Sequence, residues 1–255
     1  MKMLDLHPEK QEVVLLLPPM LATAQMMKTL LADPMGGAYR FLIPDLSGHG
    51  EAADALYPGA AQEAAAIAAY LHAQGIEKIQ LAFGASLGSA VLMALLQQPG
   101  LSFERLFLEG SSFYEHADLL TRILRPILIK KHRIAAAHPD LAVKKIGTLY
   151  GDSVKVIMAG QMIGISEQSL AQIVYDCGHV CPPKLSPEQQ KNTVFAYGEK
   201  DSDLKIARKR IPQLYPDAQL IVWPGEGHCM KITKDSARYA AMLKDFIDCK
   251  APQRG

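Results

Sequence analysis

A short apolar run that ends in a glycine-flanked serine constrains this chain more than any other stretch. Residues 79–83 have strand character, residues 84–88 read Gly-Ala-Ser-Leu-Gly, and a helical pattern over 89–96 follows at once. A serine on so tight a strand-to-helix turn adopts a strained backbone, so the residues two positions away must be small. Ser86 is therefore predicted at the start of a helix, where free N–H groups and the helix dipole favour a developing negative charge.

Strand and helix patterns alternate on both sides of this turn. Apolar runs predict strands at 13–17, 39–43, 78–83, 105–108, 192–197 and 219–223. Helical patterns cover 22–32, 59–74, 89–96, 204–214 and 235 to about Cys249, the first of them breaking at Asp33-Pro34. Sequential strands joined by helices favour a mostly parallel sheet covered on both faces, so the predicted fold class is α/β.

The pattern changes between residues 113 and 187, which are typical of several helices with no clear strand. The stretch is rich in Leu, Ile and Met, and we expect breaks at Pro126, Pro139, Gly147, Gly151, Gly164 and Pro182-Pro183. We interpret 113–187 as a helical cap inserted over the strand ends. Residues 1–112 and 188–255 are predicted to form the core domain.

Charge and hydropathy exclude several classes of partner. The formal net charge is +1, so no global field attracts the protein to nucleic acid or to an anionic membrane. The basic run at 130–133 is a local exception, which we interpret as a solvated helix face rather than a binding patch. No stretch approaches the ~20 apolar residues of a membrane span, and the N-terminus does not resemble a signal peptide. A cytoplasmic protein with a small-molecule substrate is the expectation.

Cysteine spacing suggests one metal motif. Cys177-Gly-His179-Val-Cys181 has residue types that can bind zinc, and the other cysteines are Cys229 and Cys249. A closed zinc site needs four ligands, and no second cluster lies nearby in the sequence. We therefore expect unpaired thiols and no metal.

A reactive serine needs a base, and the base needs a group that orients it. In a parallel sheet these partners follow the carboxyl ends of later strands. His228 follows the strand at 219–223 in a glycine-rich loop, and it is the predicted base. Asp201 follows the strand at 192–197, and it is the predicted acid.

Two other carboxylates stay open as the acid. Asp203 is close to Asp201, although it is equally suited to cap the helix that begins at Leu204. Glu109 directly follows the strand at 105–108.

An oxyanion hole requires two backbone donors near the serine. The N–H of Leu87, the residue after the nucleophile, is the first. The second is expected on the loop after the first predicted strand, where Pro18 and Pro19 have no N–H. The first available donor on that loop is Met20, with Leu21 behind it.

Four ordered motifs resemble those of the α/β-hydrolase superfamily. They are Pro-Asp-Leu-Ser-Gly-His-Gly at 44–50, the turn at 84–88, Gly-Glu-Lys-Asp at 198–201 and Gly-His at 227–228. The resemblance implies a Ser-His-Asp triad under a variable lid that largely sets the substrate, and we expect no cofactor. Two features differ from many relatives: Pro18-Pro19 replaces His-Gly, and only residues 1–12 precede the first recognisable strand, so the N-terminal hairpin is expected to be short or missing.

These predictions together favour a serine hydrolase that acts on a small or medium ester through an acyl-enzyme. A thioesterase, a C–C bond hydrolase or lyase, and a silent ligand-binding protein of the same fold are the alternatives. A methionine cluster could line an adaptable acyl pocket, although core filling is the favoured interpretation. Its members are Met20, Met26, Met27, Met158 and Met162.

Overall fold

Seven strands form one central sheet in the computed structural model, which describes residues 1–248. The strands of the chain are β1 (Lys2–Leu6), β2 (Val13–Leu17), β3 (Arg40–Asp45), β4 (Lys78–Ile79), β5 (Leu81–Ala85), β6 (Ser102–Phe103), β7 (Leu106–Glu109), β8 (Thr193–Gly198) and β9 (Gln219–Trp223). The sheet order is β1-β3-β2-β5-β7-β8-β9, while β4 and β6 pair separately. All pairs are parallel except β1 with β3, so the predicted α/β class is confirmed.

Helices cover both faces of this sheet. They are α1 (Ala24–Met27), α2 (Asp33–Met35), α3 (Ala60–Ala73), α4 (Leu87–Leu95), α5 (Asp118–Ala137), α6 (Pro139–Tyr150), α7 (Lys155–Gly164), α8 (Glu167–Gly178), α9 (Pro187–Lys191), α10 (Leu204–Leu214), α11 (Met230–Lys234) and α12 (Ser236–Ile247). Within residues 1–248, no helix combines the length and apolar character needed to cross a bilayer. The predicted end of the last helix at Cys249 lies outside the described residues.

The strand β2 shows why the sheet is buried on both sides. Its side chains alternate between two apolar clusters: Leu15 and Leu17 pack in one, and Val14 and Leu16 pack in the other. All four are fully buried. A continuous apolar run is what a parallel strand between two helical layers requires.

An edge strand, β1, was not predicted. It pairs antiparallel with β3 from Lys2 opposite Asp45 to Leu6 opposite Phe41. The Arg40 guanidinium donates two hydrogen bonds to Asp5, of 2.9 and 2.6 Å, and Tyr70 donates a third of 3.0 Å. The hydrogen bonds from Arg40 lower the pKa of Asp5 despite its partial burial.

Several helices continue past proline and glycine residues at which we expected them to end. The first helix does not break at Asp33-Pro34, because a π-helical turn at Lys28–Ala32 joins α1 to α2. The Asp33 N–H donates to the Lys28 carbonyl, which shifts the hydrogen-bond ladder just before Pro34. Pro126 likewise lies inside α5, and Gly147 lies inside α6.

The helices α5 to α8, here called the helical segment, lie between β7 and β8 in the chain. These two strands nevertheless pair directly, with Leu106 opposite Thr193. The segment is anchored on the core by hydrogen bonds from the Gly50 N–H to Gln161 (2.9 Å) and from the Tyr57 N–H to Ser169 (3.0 Å). The domain boundaries at 113 and 187 stay a prediction.

Candidate active site

The turn after β5 holds Ser86 in a conformation that its flanking glycines make possible. Ser86 has φ 49° and ψ −111°, outside the regions that side chains favour. A Cβ at Gly84 would lie 2.7 Å from the Gly88 carbonyl oxygen, and a Cβ at Gly88 would lie 2.2 Å from the Leu17 carbonyl oxygen. Neither position has room for a side chain, so the glycines allow β2, β5 and α4 to pack around the serine.

His228 and Asp201 complete a chain of hydrogen bonds that begins at Ser86. The Ser86 Oγ lies 2.8 Å from His228 Nε2, and His228 Nδ1 lies 2.8 Å from Asp201 Oδ2. With its proton on Nδ1, the imidazole donates to Asp201 and accepts from the serine hydroxyl. The structure thus brings together the three side chains that the sequence singled out.

Neighbouring strands explain why these loops meet. Because β8 and β9 are adjacent, the loop that carries Asp201 lies against the loop that carries His228, and the Lys200 N–H donates to the Glu226 carbonyl (2.8 Å). The other oxygen of Asp201 accepts the Asp203 N–H at 3.0 Å. The Asp201 side chain is fully buried, whereas that of His228 is 36% exposed.

The electrostatic environment favours a charged His228. Burial alone would lower the pKa of this imidazole, but the hydrogen bond to the Asp201 carboxylate outweighs it and raises the pKa well above its ordinary value. Burial raises the pKa of the Cys229 thiol, which keeps that sulfur protonated. Cys229 is therefore poorly suited to act as a nucleophile.

The two alternative acids contact other groups. Neither Asp203 nor Glu109 forms a hydrogen bond with His228 within residues 1–248. Burial raises the pKa of Asp203 to about 6. Glu109 is fully buried, accepts hydrogen bonds from Trp223 (3.0 Å) and Tyr239 (2.7 Å), and has its pKa raised by burial to about 7.

Glu109 connects the elements that surround the site, a role that sequence reasoning missed. Its backbone carbonyl accepts the Ser86 N–H at 2.8 Å, while its carboxylate binds Trp223 and Tyr239. Trp223 ends β9 just before the His228 loop, and Tyr239 lies in α12 after it. The only signal in the sequence was a carboxylate at the end of a buried strand.

A cavity of about 140 Å³ opens beside Ser86 and His228. Its lining is mainly apolar and, among the described residues, contains no Lys, Arg, Asp or Glu. The other lining residues are Pro19, Met20, Leu21, Met26, Met27, Leu30, Tyr150, Met158, Cys229, Ile232 and Thr233. Four members of the methionine cluster face this cavity, whereas Met162 packs in a separate cluster of the helical segment.

The loop after β2 carries a strained turn at the cavity. The Ala22 N–H donates to the Pro19 carbonyl (3.1 Å), which closes a turn over Met20 and Leu21. Leu21 has φ 72°, in the left-handed region that normally favours glycine. Within residues 1–248, the N–H groups of Met20 and Leu87 donate to no protein acceptor.

The histidine of the Cys177–Cys181 motif forms hydrogen bonds with other residues. His179 lies 2.9 Å from Asp118 through Nε2 and 2.8 Å from the Tyr175 carbonyl through Nδ1. In the described part of the chain, the one group of potential metal ligands is Asp201, Asp203 and His228, whose ligand atoms lie within 4.8 Å of one another. Two of these three already bond to each other in the hydrogen-bond chain from Ser86.

Comparison with known proteins finds relatives of this chain by structure and none by sequence. No protein-family model matches the sequence. A search of curated proteins likewise finds no match. A thermophilic esterase from Thermogutta terrifontis has TM-score 0.74 and 16% identity, with 97% of this chain and 92% of that chain covered.

Two further solved structures share the architecture. MenH from S. aureus has TM-score 0.70 and 19% identity, with 97% of each chain covered. The meta-cleavage product hydrolase CumD has TM-score 0.67 and 17% identity, with 96% of this chain and 93% of that chain covered. Together with the parallel sheet and the serine-bearing turn, these similarities show that the chain has the α/β-hydrolase fold.

Proposed function

We propose that this protein is a serine hydrolase that cleaves a small or medium carboxylic ester through an acyl-enzyme. The observation that carries the proposal is the unbroken hydrogen-bond chain from Ser86 through His228 to Asp201 at the wall of an apolar cavity. A hydroxyl bonded to an imidazole, which is itself bonded to a buried carboxylate, is the arrangement that activates a serine.

In this mechanism His228 Nε2 takes the Ser86 proton as Oγ attacks the ester carbonyl. Asp201 holds the proton on Nδ1 and stabilises the imidazolium that forms. The N–H groups of Leu87 and Met20 are proposed to receive the oxyanion, since neither has another acceptor in the described residues. His228 then protonates the departing alcohol, and water releases the acyl group by the reverse sequence of proton transfers.

Fluorophosphonate labelling tests the proposal directly, because the probe needs an activated serine and hardly any substrate specificity. Wild type should label, Ser86→Ala should not, and Asp201→Asn and His228→Ala should label at least about a hundredfold more slowly. An unlabelled wild-type protein would contradict an activated serine and favour a ligand-binding protein. If Asp201→Asn labelled like wild type, the acid would be another carboxylate.

The cavity size leads to a prediction about the acyl group. A cavity of about 150 Å³ holds a benzene-sized molecule, so this one fits an uncharged group of about six carbons. For p-nitrophenyl esters, kcat/KM should rise from acetyl to about hexanoyl and fall for longer chains. Met27→Trp should shift the optimum to shorter chains, whereas Leu56→Trp, on the surface away from the cavity, should not. If Met27→Trp leaves the optimal acyl-chain length unchanged, the acyl group does not bind in this cavity.

A C–C bond hydrolase is the second candidate, because the fold also matches the meta-cleavage product hydrolase CumD. Fold similarity alone does not fix the reaction. A protein that labels with fluorophosphonate but cleaves no ester or thioester would favour this candidate.

A further inference from the structure

The exposed large apolar side chains of this protein are concentrated in the helical segment. Among residues 1–248, all of them except Leu56 belong to α5, α6, α7 and α8. Soluble proteins rarely expose contiguous apolar surface unless it contacts something. The outer surface of the helical segment is therefore a candidate interaction surface.

Helix α5 presents the clearest part of this surface. At 100° per residue, Leu119, Ile123, Ile127 and Ile134 fall within an arc of about 80° on one side of the helix. Their exposed fractions are 71%, 51%, 46% and 40%, and Ala135 is the one buried residue in the whole helix. The exposed part of this apolar stripe contributes nothing to the stability of the isolated chain.

Positive charge surrounds this stripe. Arg122 and Lys131 lie on either side of the apolar arc, and Lys130 lies within it. Helices α5 and α6 together contain seven Lys and Arg residues and two Asp residues, a net charge of +5. Since the whole chain carries +1, the remainder carries −4. The net charge from which we predicted no membrane partner is thus an average over two oppositely charged regions.

We propose that α5 binds the surface of an anionic lipid bilayer. A helix with an exposed apolar stripe and flanking cations lies in the membrane interface, where its apolar side chains enter the acyl boundary and its cations contact headgroups. Charge decides between this occupant and a second copy of the chain. A two-fold dimer through α5 would bring two strongly positive surfaces together, whereas an anionic bilayer complements them.

Co-sedimentation with vesicles tests this proposal without reference to catalysis. Wild type and Ser86→Ala should both bind vesicles of phosphatidylglycerol mixed with phosphatidylcholine, and neither should bind pure phosphatidylcholine. Added salt should weaken the binding because it screens the cations. Ser86→Ala separates the two proposals, since it removes the proposed chemistry and leaves α5 intact.

Matched variants locate the surface. Ile123→Glu should weaken partitioning about tenfold or more, while Leu56→Glu, at a side chain with the same 51% exposure outside the segment, should not. Lys130→Gln with Lys131→Gln should weaken it similarly, while Arg208→Gln with Lys209→Gln, an adjacent exposed pair on α10, should not. Fluorophosphonate labelling without vesicles should be unchanged in Ile123→Glu, which shows that the variant is folded.

Three results would overturn the proposal. The first is the absence of wild-type binding to the anionic vesicles, and the second is equal weakening by the control substitutions. The third is a dimer in sedimentation equilibrium that Ile123→Glu converts to a monomer, which would assign the stripe to a second copy of the chain.

Discussion

At the scale of single residues, the charge of His228 decides when Ser86 can lose its proton. Asp201 raises the pKa of His228 above its ordinary 6.5 despite burial, and only the neutral imidazole can act as a base. We expect kcat/KM to fall as the pH drops through that raised pKa. Asp201→Asn should move the midpoint to lower pH, because it removes a carboxylate that favours the imidazolium.

A pH–rate profile with a small ester checks this expectation from about pH 5 to pH 8 and above. Asp54→Asn, which changes the net charge in the same direction at an exposed residue outside the cavity lining, is the control for a general change in charge. An unchanged midpoint in Asp201→Asn would mean that another group sets the acidic limb.

Glu109 should make the protein less stable as the pH rises. Burial raises the pKa of this carboxyl from 4.5 to about 7, so the folded state disfavours its charged form. The stability that the neutral form provides is complete below about pH 4.5 and is lost as the pH approaches 7. The loss amounts to about 3 kcal/mol in the free energy of unfolding.

Glu109→Gln isolates this contribution, since the amide oxygen can still accept from Trp223 and Tyr239. Urea unfolding at several pH values should show that the wild type loses stability relative to the variant across that window. A difference between the two proteins that stays constant with pH would contradict the buried charge as its cause.

At the scale of elements, the serine turn depends on the contact between β2 and the start of α4. Gly88→Ala should destabilise the protein by about 3 kcal/mol or more and abolish labelling, because its Cβ would lie 2.2 Å from the Leu17 carbonyl oxygen. Gly160→Ala is the matched control: it lies in α7 with nothing within 4 Å and should stabilise the fold by about 1 kcal/mol. Urea unfolding and probe labelling measure both effects, and a stable, labelled Gly88→Ala variant would refute the packing argument.

Strands and helices were predicted correctly where the sequence pattern that specifies them lies within the element itself. The bounds of β2, β9 and α10 match the predicted ranges, because apolar runs and helical periodicity act within one element. It failed for β1, an edge strand held by pairing with β3 and by the Asp5–Arg40 contact. It also failed at Pro126, which α5 accommodates within a mostly exposed helix.

At the scale of the whole molecule, the topology made Ser86, Asp201 and His228 predictable as neighbours. The carboxyl ends of parallel strands share one edge of the sheet, so order along the chain was enough to place them there. The apolar cavity and the contacts of Glu109 were not predictable. They depend on side chains from distant elements, such as Tyr150 and Tyr239, whose packing no local pattern encodes.

Stability should be uneven across the molecule. Helix α5 buries one residue and contributes little to the core, so it should open locally more easily than the sheet. Under native conditions trypsin should cut first within α5, after Arg122, Lys130, Lys131 or Arg133, whereas Pro126 protects the bond after Arg125. Mass spectrometry of the first fragments checks this, and an initial cut at Lys205, Arg208 or Lys209 in α10 would contradict it.

The direct pairing of β7 with β8 has an evolutionary consequence. The chain leaves the sheet after Glu109 at the end of β7 and returns at Thr193 at the start of β8. Because β7 and β8 pair directly, the two ends of the segment between them are held on adjacent strands, whatever the segment contains. Insertions succeed where their ends are already close. Mutation and recombination can therefore lengthen, shorten or exchange the helical segment without disturbing the sheet, and the cavity wall formed by Tyr150 and Met158 can change while the turn that carries Ser86 stays in place.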